Sequence, residues 1–222
     1  MTQFPYNIIL VCNLISWLII YIKNPLDRSY HYFTLFIIFA FLNECIMTSY
    51  KVNFFIEPQI MIGTFLNLFI ITQFLYFCFF FYRQINNINF KRLIKVACII
   101  IMILSVYFFS TGELNEKMNM DALITYSFAI IIFTLLLFID LILEPSMIPL
   151  FKDWIFYLVL GQLIWNAMAL FRFIPVYLLD EIDEEFLKLI TNVFNYINII
   201  TYLLYFVAFI CLHYQKKLKL PT

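Results

Sequence analysis

Apolar residues fill seven long runs of the chain, and short polar stretches separate these runs. The runs lie at about 5–22, 32–50, 59–82, 96–110, 123–143, 154–175 and 190–212. A helix needs about 20 apolar residues to cross a bilayer, and the runs are near that length, the fourth being the shortest. None alternates polar and apolar residues, so helices are the only spanning form available to them. The pattern therefore predicts an all-α integral membrane protein with seven transmembrane helices.

Composition supports this class and argues against catalysis. Of 222 residues, 64% are hydrophobic and 13% charged, which leaves more apolar surface than a soluble chain of this size can bury. The five cysteines form no C-x-x-C pair, and two histidines are too few for a three-histidine zinc site. Motifs of hydrolases and nucleotide-binding loops are absent from the sequence. We therefore expect no metal, no cofactor and no catalytic residue, and an enzyme has no support beyond one intramembrane carboxylate.

Basic residues are distributed unevenly between the predicted loops, which alternate between the two sides of the membrane. One side receives ten of them: Lys23, Arg28, Arg83, Lys91, Arg92, Lys95, Lys152, Lys216, Lys217 and Lys219. The other side receives Lys51, Lys117 and Lys188. Because basic loops remain in the cytoplasm, the N-terminus is predicted outside and the C-terminus inside. The Ile-, Phe- and Asn-rich usage indicates an AT-rich genome and hence a bacterial cytoplasmic membrane.

Two features at the inner surface follow from this topology. The basic segment 89–95 is expected to lie along the membrane surface before the fourth span begins. Asp140, near the inner end of the fifth span, is expected at the lipid headgroups rather than in a proton relay.

Short matches between the two halves of the chain indicate an internal repeat. The pattern I-I-T-x-x-L-Y-F occurs at 70–77 and again at 199–206, and Pro-Leu followed by a basic residue occurs at 25–28 and 149–152. All matches pair span n with span n+4, which predicts a parallel 3+1+3 tandem repeat. The single seven-helix domain 1–222 then consists of a first half at 1–95, a linker helix and loop at 96–122, and a second half at 123–222. The alternative is that chains rich in these residue types match by chance.

This order of three spans, a linker and three more spans resembles the architecture of the SWEET and PQ-loop transporters. The resemblance implies a binding site between the two halves, near the middle of the membrane. It covers helix order alone, because the Pro-Gln dipeptide of that family belongs near the first helix of each half, whereas Pro58-Gln59 precedes the third span. No functional residue is transferred. A retinal pigment is disfavoured, because 190–212 contains no lysine.

Polar side chains are scarce in the spans, so each is a candidate for function. Glu44 and Arg172 are ionisable residues within spans, where a charge is costly unless it is paired or hydrated. Their depths differ by about 9 Å at 1.5 Å per residue. Polar residues of the seventh span recur at steps of three or four and therefore share a helix face. The predicted ligand-binding residues are Glu44, Arg172, Asn43, Asn67, Asn166, Asn195, Asn198 and Tyr202.

Two functions remain open. In the first, these residues surround an outward-facing polar cavity, and the protein binds and transports a small polar or amphipathic ligand. In the second, the protein is a non-catalytic receptor-like module or the membrane subunit of a larger complex. Arg172 then extends to the outer headgroups, Glu44 bonds to helix amides, and the cytoplasmic basic loops dock a protein partner. The lipid bilayer is a partner in both cases, and nucleic acid in neither.

Overall fold

A computed structural model describes residues 3–23, 33–34, 36–38, 40–42, 45, 59–111, 119–143, 149–178 and 183–217. Within these ranges the chain is helical apart from short connections, and no β-strand occurs in them. The numbered helices are α1 (Gln3–Lys23), α2 (Gln59–Gln84), α3 (Ile88–Thr111), α4 (Met120–Leu143), α5 (Trp154–Leu178) and α6 (Glu184–Lys217). The described residues between 33 and 45 are also helical, and we call them the 33–45 segment.

Five of the described helices are long and apolar enough to cross a membrane. Their spans are Gly63–Gln84, Ile88–Ser110, Met120–Leu143, Trp154–Pro175 and Glu184–Gln215. Helix α1 contains a shorter apolar stretch, Leu10–Ile19. Large apolar side chains are exposed along these helices, where lipid would cover them. The predicted helical membrane class is confirmed, whereas the number of seven spans, the repeat and the orientation stay predictions.

Helix α3 begins earlier than the fourth apolar run. Residues 89–95 were expected along the membrane surface, but they belong to a continuous helix that starts at Ile88. The side chain of Asn87 starts this helix, because its Oδ1 accepts the backbone N–H of Asn89 at 2.9 Å. The charged residues are compatible with a span because long basic side chains extend their charged groups towards water.

Neighbours along the chain are antiparallel, and this brings alternate helices side by side in the same direction. Between α2 and α4, the rings of Phe74 and Tyr126 stack at 4.4 Å. Between α1 and α6, Asn13 Nδ2 donates to the carbonyl of Tyr202 at 2.8 Å. Helix α3 is peripheral, because only 17% of its span is buried, compared with 50% of α4.

The antiparallel order collects the helix ends at two ends of the bundle. The basic end contains the 85–87 connection, the end of α4, the start of α5 and the end of α6, and Gln215 Nε2 donates to the carbonyl of Lys152 there at 2.9 Å. The acidic end contains the start of α6, where Glu184 and Glu185 occupy the first turn. These names follow the charges that the sequence places at each end.

Two carboxylates at the basic end serve the backbone rather than the headgroups. Asp140 is only 2% exposed. Its two oxygens accept the N–H groups of Asn86 at 2.7 Å and Asn87 at 3.0 Å. Asp153 is also buried and caps α5 by accepting the N–H of Ile155 at 3.0 Å. Both acids therefore hold helix starts in place.

The stability of the protein should depend on pH through Asp153. Burial raises the pKa of this carboxyl group, and hydrogen bonds from Ile155 and Gln215 offset the rise in part. The folded protein then holds the proton more tightly than the unfolded chain, so stability falls as pH rises from about 4, the ordinary carboxyl range, through the raised pKa. Asp153→Asn should flatten this slope in thermal unfolding measured in detergent.

The control for this experiment is Asp183→Asn. Asp183 caps α6 in the same way, by accepting the N–H of Glu185 at 3.1 Å, but it is exposed. This variant should keep the slope of the wild-type protein. An unchanged slope in Asp153→Asn would contradict the assignment.

Candidate ligand-binding cavity

A cavity of about 160 Å³ lies inside the bundle, between α2, α5, α6 and the 33–45 segment. Hydrogen-bonding side chains form one part of its wall: Gln73, Gln162, Asn198, Thr201, Tyr202 and Tyr205. Aromatic rings and one small residue form the rest: Phe36, Ala40, Phe69, Trp165 and Phe194. None of these described lining side chains carries a charge. The wall therefore offers hydrogen bonds and flat apolar surfaces to an uncharged molecule.

The cavity lies halfway along the helices that form it. Gln73 is at the middle of the span Gly63–Gln84, and Trp165 is at the middle of Trp154–Pro175. Thr201 is close to the middle of Glu184–Gln215. A hydrocarbon core is about 30 Å thick, which places the cavity roughly 15 Å from either surface.

A close approach of α5 and α6 builds one side of the cavity. A Cβ atom on Gly161 would lie 2.9 Å from Cε1 of Tyr205 and 3.5 Å from the carbonyl oxygen of Thr201. The ring of Tyr205 therefore occupies space that any side chain at position 161 would need. Tyr205 is 2% exposed and also packs against Phe33, with centroids 5.4 Å apart.

A chain of hydrogen bonds orients the polar wall. Asn166 Nδ2 donates to the carbonyl oxygen of Gln162 at 2.8 Å and to its Oε1 at 3.1 Å. Gln162 Nε2 in turn donates to the hydroxyl oxygen of Tyr205. Because that oxygen is the acceptor, the Tyr205 O–H proton remains available to a second acceptor. The network thus fixes Tyr205 as a hydrogen-bond donor beside the cavity.

Two further groups complete the polar wall on α6. Trp165 Nε1 donates to Asn198 Oδ1 at 2.8 Å, which leaves the Asn198 amide N–H groups for other acceptors. Thr201 is 2% exposed, and its Oγ1 has no hydrogen-bond partner within the described part of the chain. An unsatisfied buried hydroxyl costs about 1–3 kcal/mol. A ligand or water at this wall would remove that cost.

The predicted site residues on α5 and α6 lie in and around this cavity. Asn198 and Tyr202 line it. Asn166 lies behind the wall and orients it through Gln162. Asn195 is half-buried, one turn from Asn198 towards the acidic end, and is not a lining residue.

The other predicted residues lie elsewhere. Asn67 Oδ1 accepts the backbone N–H of Asn119 at 2.8 Å, which supports the start of α4. The guanidinium of Arg172 lies 5.0 Å from the ring centroid of Phe173 and 4.8 Å from that of Phe194. Since Phe194 also lines the cavity, Arg172 borders it on the side of the acidic end. Asn43 and Glu44 are outside the described residues, so a Glu44–Arg172 pair stays a prediction.

Sequence reasoning did not select several lining residues, namely Gln73, Gln162, Thr201 and Tyr205. A signal for Gln162 existed, because it precedes Asn166 by one helical turn. The two copies of the I-I-T-x-x-L-Y-F pattern contain the other three. That pattern does not tell which copy of a residue faces inward: Thr72 is exposed and bonds to the carbonyl of Leu68 at 2.8 Å, whereas Thr201 is buried at the cavity.

These features define a multi-pass helical membrane protein with a polar cavity at mid-depth. Among the described residues, no group of three His, Cys, Asp or Glu side chains could hold a metal ion. No protein family model, curated protein or solved structure matches the chain at a significant level. Function must therefore be inferred from the cavity itself.

Proposed function

We propose that this protein binds a small, uncharged polar or amphipathic ligand in the mid-depth cavity and carries it across the membrane. The observation that supports this function is a buried wall of oriented hydrogen-bonding groups, including the unpartnered hydroxyl of Thr201. Polar groups are costly in a lipid-embedded bundle unless they are satisfied. A wall of this kind is therefore better explained by a polar guest than by packing alone.

The lining residues define the chemistry of the ligand. Tyr205 and Asn198 present donors, while Phe36, Phe69 and Trp165 present flat faces. A charged ligand would lose its hydration without gaining a partner of opposite charge. At about 30 Å³ per water molecule, the cavity has the volume of about five waters. The ligand is thus a small neutral molecule that combines hydroxyl or amide groups with an apolar face.

The register of the repeated pattern supports a two-half carrier. Phe69 and Gln73 of the first half line the cavity, and so do Asn198 and Tyr202, which lie 129 positions later in the second half. Exchanging span n for span n+4 also exchanges the parallel pair α1–α6 with the pair α4–α2, both of which are in contact. Helix α3 lies outside this exchange as the linker. Parallel repeats of this kind hold substrate between their halves.

The direction of transport follows from the charge distribution. In this proposal the basic end is cytoplasmic by the positive-inside rule, and the acidic end faces outward. Arg172 and the first turn of α6 then lie on the outer side of the cavity. The ligand enters from that side of a bacterial cytoplasmic membrane, and the two halves move around it.

The contacts of Asn67 and Asp140 favour the second candidate, a receptor-like module or complex subunit. Both side chains bond to backbone N–H groups and join helices rather than face the cavity. If the remaining polar residues serve the same purpose, the bundle is a rigid support, and the basic end docks a protein partner. This candidate predicts that the cavity binds nothing and that its variants affect stability alone.

Transport should require the cavity hydroxyl of Thr201 but not the matching hydroxyl of Thr72. Proteoliposomes would be tested for uptake of radiolabelled monosaccharides, polyols and nucleosides, with amino acids as charged comparators. Wild-type protein should take up one neutral class faster than empty vesicles. Thr201→Val and Tyr205→Phe should lower that uptake about tenfold, the effect of losing one hydrogen bond of about 1.4 kcal/mol.

Thr72→Val is the matched control, because Thr72 occupies the equivalent position of the repeated pattern and faces outward. It should leave uptake unchanged. Absence of uptake of every neutral solute, or equal losses in Thr72→Val and Thr201→Val, would overturn the carrier. Ligand-induced thermal stabilisation without uptake would instead favour the receptor-like module.

A further inference from the structure

An apolar groove of about 460 Å³ runs along the outside of the bundle between α2 and α3. Leu75, Phe79 and Tyr82 line it from α2, and Lys95 and Ile99 line it from α3. These apolar side chains are about half exposed, so the groove opens to the surroundings of the bundle and is separate from the central cavity. Its walls belong to two membrane spans, and hydrocarbon is therefore the medium around it.

Positive charge collects at the end of the groove nearest the 85–87 connection. Lys95 lines the groove itself. Lys91 Nζ lies 5.9 Å from the ring centroid of Tyr82, and Arg83 Cζ lies 5.9 Å from that of Phe79. The two lining aromatic rings thus hold two further cations beside the groove.

No acidic side chain of the hairpin balances these charges. Residues 59–111 contain four basic residues and no Asp or Glu. None of the four forms an ion pair with another described residue. The nearby Asp140 is buried, and both of its oxygens already accept backbone N–H groups. Lys91 and Lys95 are one helical turn apart on the same face, so their charges repel each other until an anion lies between them.

We propose that this groove binds an anionic phospholipid. One acyl chain lies along Leu75, Phe79 and Ile99, and the phosphate lies between Lys91, Lys95 and Arg83. Basic pockets between transmembrane helices bind anionic headgroups through this combination of charge and apolar surface. The site is independent of the ligand in the central cavity.

The charge pattern argues for lipid over a second copy of this chain. A two-fold contact through the groove would place two copies of the same basic hairpin against each other. Their charges would repel across a medium of low dielectric constant. An anionic lipid instead brings the opposite charge and a chain that matches the apolar walls.

The test compares lipid retention by the full-length protein in nanodiscs that contain phosphatidylcholine and phosphatidylglycerol. Native mass spectrometry after release should detect one retained phosphatidylglycerol, with phosphatidylcholine retained far less. The double variant Lys91→Gln/Lys95→Gln should lower phosphatidylglycerol retention at least about tenfold, because each basic residue near an anionic headgroup contributes several-fold to binding. A diazirine in the acyl chain should crosslink within 75–82 and 94–99.

Arg92→Gln is the matched control, because Arg92 is an exposed cation of the same hairpin that does not line the groove. It should retain the lipid, and thermal unfolding should show that all three proteins are folded. Equal retention of the two lipids, equal losses in the control and the double variant, displacement by free glycerol phosphate, or crosslinks between two protein copies in place of lipid would overturn the proposal.

Discussion

Gly161→Ala should destabilise the protein and abolish ligand uptake, although alanine is normally the better helix residue by about 1 kcal/mol. The added Cβ would lie 2.9 Å from the ring of Tyr205. That ring is 2% exposed and packs against Phe33, so it cannot move aside freely. Overpacking of this kind costs about 1–3 kcal/mol, which exceeds the gain in helix propensity.

The effect on uptake should be larger than the effect on stability. A displaced Tyr205 loses its hydrogen bond from Gln162 and moves its hydroxyl away from the cavity. Uptake of the neutral solute class should then fall by more than about tenfold, which corresponds to 1.4 kcal/mol. The measurements are thermal unfolding in detergent and the proteoliposome assay.

The double variant Gly161→Ala/Tyr205→Leu isolates the contact. Replacing the ring by leucine removes the atom nearest to the new Cβ, so the double variant should be more stable than the sum of the two single effects predicts. It should still lack uptake, since the hydroxyl is gone. Ala167→Gly controls for propensity, because Ala167 is exposed on the same helix and its variant should keep uptake. Wild-type stability and uptake in Gly161→Ala would contradict the close approach of the two helices.

Asp140→Ala should lower the stability of the bundle by about 3 kcal/mol or more. The carboxylate accepts two backbone N–H groups, at 2.7 and 3.0 Å, and a hydrogen bond to a charged group contributes about 1.5–3 kcal/mol. Alanine would leave both donors without this partner at the turn between α2 and α3. The expected fall in melting temperature is roughly 6–12 °C for a chain of this length.

Two variants distinguish this role from a general effect of charge. Asp140→Asn keeps one acceptor oxygen and should lose less stability than Asp140→Ala. Asp121→Ala removes an exposed acid in the first turn of the same helix, where it contributes only about 0.3–1 kcal/mol through the helix dipole. Equal melting temperatures for Asp140→Ala and Asp121→Ala would show that the buried contact does not stabilise the turn.

The helix boundaries show where reasoning from hydropathy ends. The apolar runs locate the middle of each described span, but α3 starts at Ile88 and α6 extends over Glu184–Lys217, beyond the apolar residues 96–110 and 190–212. Charged residues continue a helix when caps satisfy its first N–H groups and long side chains reach water. Hydropathy records transfer into lipid and does not record caps, which depend on single side chains such as Asn87.

The role of Asp140 could not be predicted either. Its position near the end of an apolar run indicates a carboxylate at the headgroups, and the sequence around it names no partner. Its partners are backbone groups more than 50 residues earlier in the chain, at Asn86 and Asn87. Parallel packing of α2 and α4 creates this contact, and no local pattern encodes it.

The sequence by itself determined that the chain is helical and lies in lipid, because runs of this length and apolarity have no other way to satisfy their backbone. It also located the polar face of α6 that includes Asn198 and Tyr202. Only the tertiary structure decided which polar residues share a cavity. A helix that is apolar on nearly all sides has no strong moment to set its rotation, so side-chain packing, including the contact of Gly161 with Tyr205, turned Thr201 inward and left Thr72 outside.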